Sequence, residues 1–244
     1  MAHVSHSRRH GNPLVFLCLQ ERGLEMVKFL LESHASGEAR YYNVRALADA
    51  PDPKSSITPL MAAVLRPHFK FDDAVGGNEA AVIKLAKMLI AHGARVDTCD
   101  SVGGSYPVHT AAQEGMPKVL RFLLDLGATM HRPTANLTTT IYIAALYGHV
   151  ECVAMLCAVA AARGQLAGLL DQPSRLGRTP LAIAVEFAHP AAAALLIRFG
   201  ADLRRASSGY YSRADPKDRA CLLRARVRVR GWAAVSQSKF EQQQ

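Results

Sequence analysis

Tyr106-Pro107-Val108-His109-Thr110-Ala111-Ala112-Gln113-Glu114-Gly115, continuing as Met116-Pro117-Lys118-Val119-Leu120-Arg121-Phe122-Leu123-Leu124-Asp125-Leu126-Gly127-Ala128, is the stretch whose reading decides the fold. Pro107 suits the first turn of a helix, where its missing N–H costs no hydrogen bond. The small Ala111 and Ala112 let that short helix sit close to its neighbours. Gly115 interrupts the chain, and Val119, Leu120, Leu123 and Leu124 then form an apolar stripe at helical spacing. Gly127 ends this second helix in the left-handed conformation that glycine tolerates best. The result is two helices and a turn, a unit too small to bury its own apolar face. Such units have to stack.

The unit recurs. One copy opens at Thr58-Pro59-Leu60-Met61-Ala62-Ala63 and closes at Leu89-Ile90-Ala91-His92-Gly93-Ala94. Another runs Thr140-Ile141-Tyr142-Ile143-Ala144-Ala145-Leu146-Tyr147-Gly148-His149, and another opens at Gly177-Arg178-Thr179-Pro180-Leu181 and closes at Phe199-Gly200-Ala201-Asp202. A looser copy begins at Asn12-Pro13-Leu14 and passes through Gly23 to Leu31, with one extra residue before the glycine, as suits a terminal capping unit. Thr58 and Thr179 are placed to cap the helices that Pro59 and Pro180 open. The openings fall at residues 13, 59, 107, 140 and 180, with gaps of 46, 48, 33 and 40, so extra segments are expected over 36–51, 66–78 and 160–172. The fourth copy has Thr140 in the proline position, and the fifth has Ala188 in place of the medial glycine.

This pattern resembles the ankyrin repeat, whose units open roughly Gly-x-Thr-Pro-Leu-His-x-Ala-Ala and recur about every 33 residues. The resemblance implies an all-α ankyrin-repeat solenoid of about five helix–turn–helix units with β-turn fingers over residues 11–203. Residues 1–10 and a basic C-terminal tail, 204–244, flank it. It also implies protein–protein recognition on the concave face, made by the fingers and the exposed end of each first helix. Carried over unit by unit, the third repeat offers Val102, Gly103, Ser105, Gln113 and Glu114. The fourth offers Ala135, Asn136, Thr138, Leu146 and Tyr147, and the fifth Arg175, Leu176, Arg178, Glu186 and Phe187. Tyr147 and Phe187 read either as interface anchors or as packing against the next unit. His109 occupies the position from which ankyrin units hydrogen-bond within the turn.

Composition agrees with a helical globular chain: 50% of residues are hydrophobic, 20% charged and 7% aromatic. The net charge of +9 is uneven, since residues 13–203 balance 17 Lys and Arg against 17 Asp and Glu, while 204–244 carry ten basic groups and three acidic ones. In that tail Arg224, Arg226, Arg228 and Arg230 alternate with Ala and Val, so an extended chain would present the four guanidinium groups on one face. Such a row suits phosphates or an acidic protein or lipid surface, or is a solvated basic tail, and the alternative function is a nucleic-acid-associated factor using it on phosphates. No reading module accompanies it. Five scattered cysteines and the lack of a secretory signal point to reduced thiols in a cytoplasmic or nuclear protein. No apolar run is long enough to span a bilayer. Gly76-Gly77 and Gly103-Gly104 lack the lysine of a phosphate loop and read as turn glycines. His3, His6 and His10 have nothing to fix a coordination geometry, and Cys152 and Cys157 are spaced as buried apolar groups. No catalytic constellation, cofactor, metal or small-molecule substrate is expected; the expected partner is a protein.

Overall fold

The computed structural model describes residues 11–19, 23–35, 44–65, 77–202 and 204–205, which contain helices and turns and no strand. All five predicted openings start helices: α1 (Pro13–Cys18), α4 (Pro59–Leu65), α6 (Pro107–Gln113), α8 (Thr140–Leu146) and α11 (Pro180–Glu186). Each is followed by the second helix of its pair: α2 (Gly23–Ala35), α5 (Gly77–Ala91), α7 (Pro117–Asp125), α9 (Val150–Ala162) and α12 (Pro190–Arg198). Two short helices, α3 (Val44–Asp49) and α10 (Leu166–Leu170), lie inside the predicted extra segments.

The chain divides into two compact units, Met1–Thr129 and Met130–Gln244. In the first, the inner helix α4 packs between α1 and α6, and the outer helix α5 contacts α2 and α7. Its core joins Leu14, Val15, Cys18, Val27 and Leu31 of the first repeat to Ala48 of α3 and to Leu85 and Leu89 of α5. In the second unit α8 packs on α9 and α11, α9 on α12, and α10 on α9. Here Ile141, Leu156, Leu170, Leu181 and Leu196 are buried.

The caps follow the sequence chemistry. Thr58 Oγ1 accepts from Met61 N at 3.2 Å, Thr179 Oγ1 from Ala182 N at 3.2 Å, and Asn12 Oδ1 from Leu14 N at 3.0 Å. The fourth repeat, without its proline, is capped by Thr139, which accepts from Tyr142 N. Thr140 fills the proline position, buried, with its hydroxyl donating to Met130 O at 3.0 Å. Gly93, Gly127 and Gly200 close the outer helices at φ of 107°, 91° and 95°. In each case the next amide reaches back to a carbonyl five residues earlier, as Ala128 N does to Leu123 O at 3.0 Å.

The medial turns share one geometry. Met116 N, His149 N and His189 N donate to Ala111 O, Ala144 O and Ala184 O at 3.0, 3.0 and 2.8 Å. Gly115 and Gly148 reach this turn at φ of 68° and 72°, and Ala188 is held at 57° without glycine's freedom. A left-handed alanine costs about 1–2 kcal/mol, partly offset by the extra chain entropy that glycine loses on folding. Ala188→Gly is therefore expected to raise the unfolding free energy by about 1 kcal/mol. A chemical denaturation midpoint that falls instead would show this turn to be unstrained.

The extra segments also do structural work. Asp49, at the end of α3, accepts from Arg95 N at 2.9 Å and Thr98 Oγ1 at 2.6 Å. Asp171, just after α10, accepts from Asp202 N at 2.9 Å, and Asp97 accepts from Thr129 N at 3.2 Å. Each carboxylate ties the end of one repeat to the end of the next. Of the segment 66–78, only the start of α5 lies among the described residues, so Gly77 opens a helix instead of sitting in a turn.

Candidate protein-interaction surface

Four fingers precede the inner helices, at residues 52–57, 100–105, 134–138 and 174–178. Each is closed by a backbone bond across its base: Asp52 N to Ile57 O (2.8 Å), Asp100 N to Ser105 O (2.8 Å), Thr134 N to Thr138 O (3.0 Å) and Ser174 N to Arg178 O (2.9 Å). The first residue of each finger also accepts from the turn through its side chain. Asp52 takes Ser55 N at 2.7 Å, Asp100 takes Val102 N at 3.1 Å, Thr134 takes Asn136 N at 3.3 Å and Ser174 takes Arg178 N at 3.4 Å. One position per finger is left-handed: Ser56, Gly104, Leu137 and Gly177, at φ of 64°, 61°, 58° and 75°. Only two of the four are glycine, so this turn was only half visible as a glycine signal. Neighbouring fingers are stitched together within each unit. Ser101 N donates to Ser56 O at 3.4 Å, and Arg175 N donates to Asn136 O at 2.8 Å while its Nη2 donates to Ala135 O at 2.9 Å.

Asp52 anchors the first of these fingers and reaches the start of α1, accepting from Asn12 N at 2.6 Å. Asn12 in turn donates to Leu47 O and Ala50 O at 2.8 and 2.7 Å, locking α1 to α3. Burial works against ionisation of Asp52, but the bonds from Ser55, Asn12 and Lys54 together outweigh it and hold the carboxyl below its usual 3.8. A depressed folded pKa gives stability that is present above the unfolded value and lost as pH falls through the folded one. Thermal stability is thus expected to drop on acidification below about pH 4. Asp52→Asn should be less stable at neutral pH and should show a shallower acid dependence; parallel acid limbs for the two proteins would refute this assignment.

The inner helices α6, α8 and α11 end at the caps Glu114, Tyr147 and Phe187. Gln113 Nε2 donates to Glu114 Oε1 at 3.2 Å. Tyr147, 48% exposed, stacks on His149 with ring centroids 6.2 Å apart, and Phe187 is 52% exposed. Leu146 is half-buried and its carbonyl accepts from His189 Nε2 at 3.0 Å. His109 makes the turn contact expected of it, accepting from Tyr106 N at 3.2 Å.

The predicted contact residues fall into two sets. Val102, Asn136, Tyr147, Arg175 and Phe187 are exposed, while Ser105, Gln113, Glu114, Thr138 and Leu146 are half-buried. Arg178 and Glu186 pair with each other at 3.3 Å, joining the finger of the fifth repeat to the far end of its inner helix. Behind them Tyr142 is buried. Desolvation holds its phenol above the usual 10.0, opposed by a hydrogen bond with Ser174 and by the Arg178 charge. Sequence reasoning missed Leu137, an exposed apolar side chain at the left-handed finger position. Its register against Gly104 and Gly177 was the available signal. Arg224, Arg226, Arg228 and Arg230, like His3, His6 and His10, lie outside the described residues.

Chemistry elsewhere is muted. Cys18, Cys99, Cys152 and Cys157 are thiols outside any disulfide. Burial pushes Cys157 up to about 12, which keeps it protonated and unreactive at neutral pH. Among the described residues, no group of three or more His, Cys, Asp or Glu side chains is placed to hold a metal ion, and no helix is long and apolar enough to cross a membrane.

Stacked helix pairs, four of them preceded by a stitched finger, define a repeat protein of the kind whose function is to bind other proteins. The family model for ankyrin repeats (3 copies) matches residues 74–164 and 109–207, together more than half of the chain. The chain is also 32% identical over 127 residues to the ankyrin repeat and KH domain-containing protein mask-1 of Caenorhabditis elegans, a match covering 52% of this chain and 4% of that protein. This chain belongs to the ankyrin-repeat family, and its fold class is the all-α repeat solenoid. It is a protein–protein interaction module, of a family that is generally non-enzymatic.

Proposed function

We propose that the chain serves as a non-enzymatic scaffold or adaptor in the cytoplasm or nucleus, capturing a protein partner on the concave face of residues 11–203. The observation that carries this reading is where the apolar side chains are left in water. Val102, Leu137 and Leu176 on the fingers and Tyr147 and Phe187 at the inner-helix ends are all exposed. Large apolar groups are costly to leave hydrated, Tyr147 and Phe187 hold the same C-cap position in successive repeats, and aromatic anchors of this kind dominate interface energetics. Arg175 and Asn136 supply polar contacts around them. The Arg178–Glu186 pair braces the finger that presents Leu176, and contributes to binding mainly through that geometry.

Tyr147 and Phe187 are half in solvent, so replacing both with alanine should leave folding nearly intact. Affinity capture with the full chain is expected to lose its specific partners in the double variant, with a thermal midpoint within about 3 °C of the parent. Retention of every partner by a folded double variant would move the binding site off these positions.

A further inference from the structure

In the second unit, finger and inner-helix end lie within side-chain reach of each other. Arg178, on the finger of the fifth repeat, meets Glu186, which adjoins Phe187 at the far end of α11. Tyr147 and Phe187 hold the same C-cap position on α8 and α11, and these two helices pack together. Packed helices run about 8–10 Å apart, so the two exposed rings recur at about that spacing. A polyproline II chain repeats every three residues, about 9 Å. Two apolar side chains three positions apart on such a chain therefore meet the two rings in turn. In a β-strand they would point to opposite faces.

Charge decides what else that chain carries. Among the described residues of this unit, Glu186 is held by Arg178 at 3.3 Å, Asp171 accepts from Asp202 N at 2.9 Å, and Asp202 accepts from Arg204 N at 2.7 Å. Glu151 stands in the first turn of the outer helix α9. None of these carboxylates pairs with Arg175. Arg175 is exposed yet oriented: its N donates to Asn136 O at 2.8 Å and its Nη2 to Ala135 O at 2.9 Å, which fixes it across the seam between two fingers. Leu176 beside it is 63% exposed. A guanidinium has five N–H donors, so most of them are left to water. An oriented arginine with donors to spare suits a carboxylate, which it takes in a charge-assisted, bidentate pair. A nucleic-acid strand fits less well, because phosphate binding gathers many cations along a backbone.

Resting on the concave-face reading above, we infer that the second unit takes a short acidic peptide segment of its partner in a polyproline II conformation. Two apolar side chains three residues apart lie on Tyr147 and Phe187, and an Asp or Glu carboxylate pairs with Arg175. The rings supply the apolar contact, and the arginine selects the sign of the partner's charge.

Selection of random peptides displayed on phage against the full chain tests this. The enriched sequences are expected to carry an Asp or Glu together with two apolar residues three positions apart. A synthetic peptide of that consensus, followed by fluorescence anisotropy, should bind the parent and lose about 10-fold or more in affinity to Arg175→Glu. Its charge-reversed form, with Lys in place of the acid, should prefer Arg175→Glu to the parent. That preference keeps the test sound even if Arg175→Glu loosens the finger, since a damaged site gains affinity for neither peptide. A selection that enriches no acidic sequence, or a charge-reversed peptide without that preference, would overturn the proposal. Neutral or basic peptides that are still lost on Tyr147→Ala with Phe187→Ala would overturn the acidic partner and leave the concave face in place. An acidic consensus indifferent to Arg175→Glu and to the loss of both rings would overturn both readings. An oligothymidylate bound as tightly as the peptide, and lost with Arg175→Glu, would give the site to nucleic acid instead.

Discussion

Leu89→Ala is expected to lower the unfolding free energy by about 2–5 kcal/mol, the range for truncating a fully buried leucine. Leu89 is completely buried in the cluster that joins Leu14, Val27 and Leu31 of the first repeat, Ala48 of α3 and Leu85 of its own helix. Its removal takes away transfer free energy and leaves a cavity that cannot readily collapse, because its walls come from four separate helices. The cavity belongs to the interface between repeats, so the loss should appear as a lower denaturation midpoint with little change in slope. Leu126→Ala is the matched control: Leu126 caps α7 and is 46% exposed. It should cost no more than about 0.5 kcal/mol. Equal losses for the two variants would mean that the packing between the first two repeats contributes little to stability.

Gly148→Ala should be nearly as damaging for a different reason. Gly148 sits at φ of 72°, and a Cβ built on it would fall on the imidazole of His189. That ring cannot swing away freely, since Nε2 is bonded to Leu146 O and the residue itself caps α12. Backbone strain of about 1–2 kcal/mol and a broken hydrogen bond worth about 1 kcal/mol together give about 2–3 kcal/mol. Gly164 separates the two terms. It has a similar φ of 68° and open space where a Cβ would go, so Gly164→Ala should show the backbone cost alone. The double variant Gly148→Ala with His189→Ala should lose less than the sum of its parts, because removing the ring relieves the collision. Strict additivity would show that glycine is needed here only for its backbone.

The repeat architecture was legible because its signals are local. All five inner-helix openings, the capping threonines at 58 and 179 and the closing glycines at 93, 127 and 200 stand where short-range chemistry places them. The alanine standing in for a medial glycine was legible as well, and the structure adds that it adopts the glycine conformation. Less visible were α3 and α10, which appeared only as excess length between copies. Their aspartates bond to amides 31 and 46 residues away, a relation that no local pattern reveals. Position within the unit suggested Arg178 and Glu186 as surface contacts, but their mutual pairing depends on how one finger leans along its own inner helix.

By itself, then, the order of residues determined the kind of unit, the number of copies and the rows of side chains that must be hidden. Helix starts, stops and apolar stripes depend on neighbours within about four positions, which any reader of the chain can see. Only the folded arrangement decided which carboxylates bind one repeat to the next and which aromatic rings remain in water. It also decided that, among the described residues, α1 and α2 border an open apolar groove. Those outcomes depend on contacts between residues far apart in the chain, set by packing after each helix pair has formed.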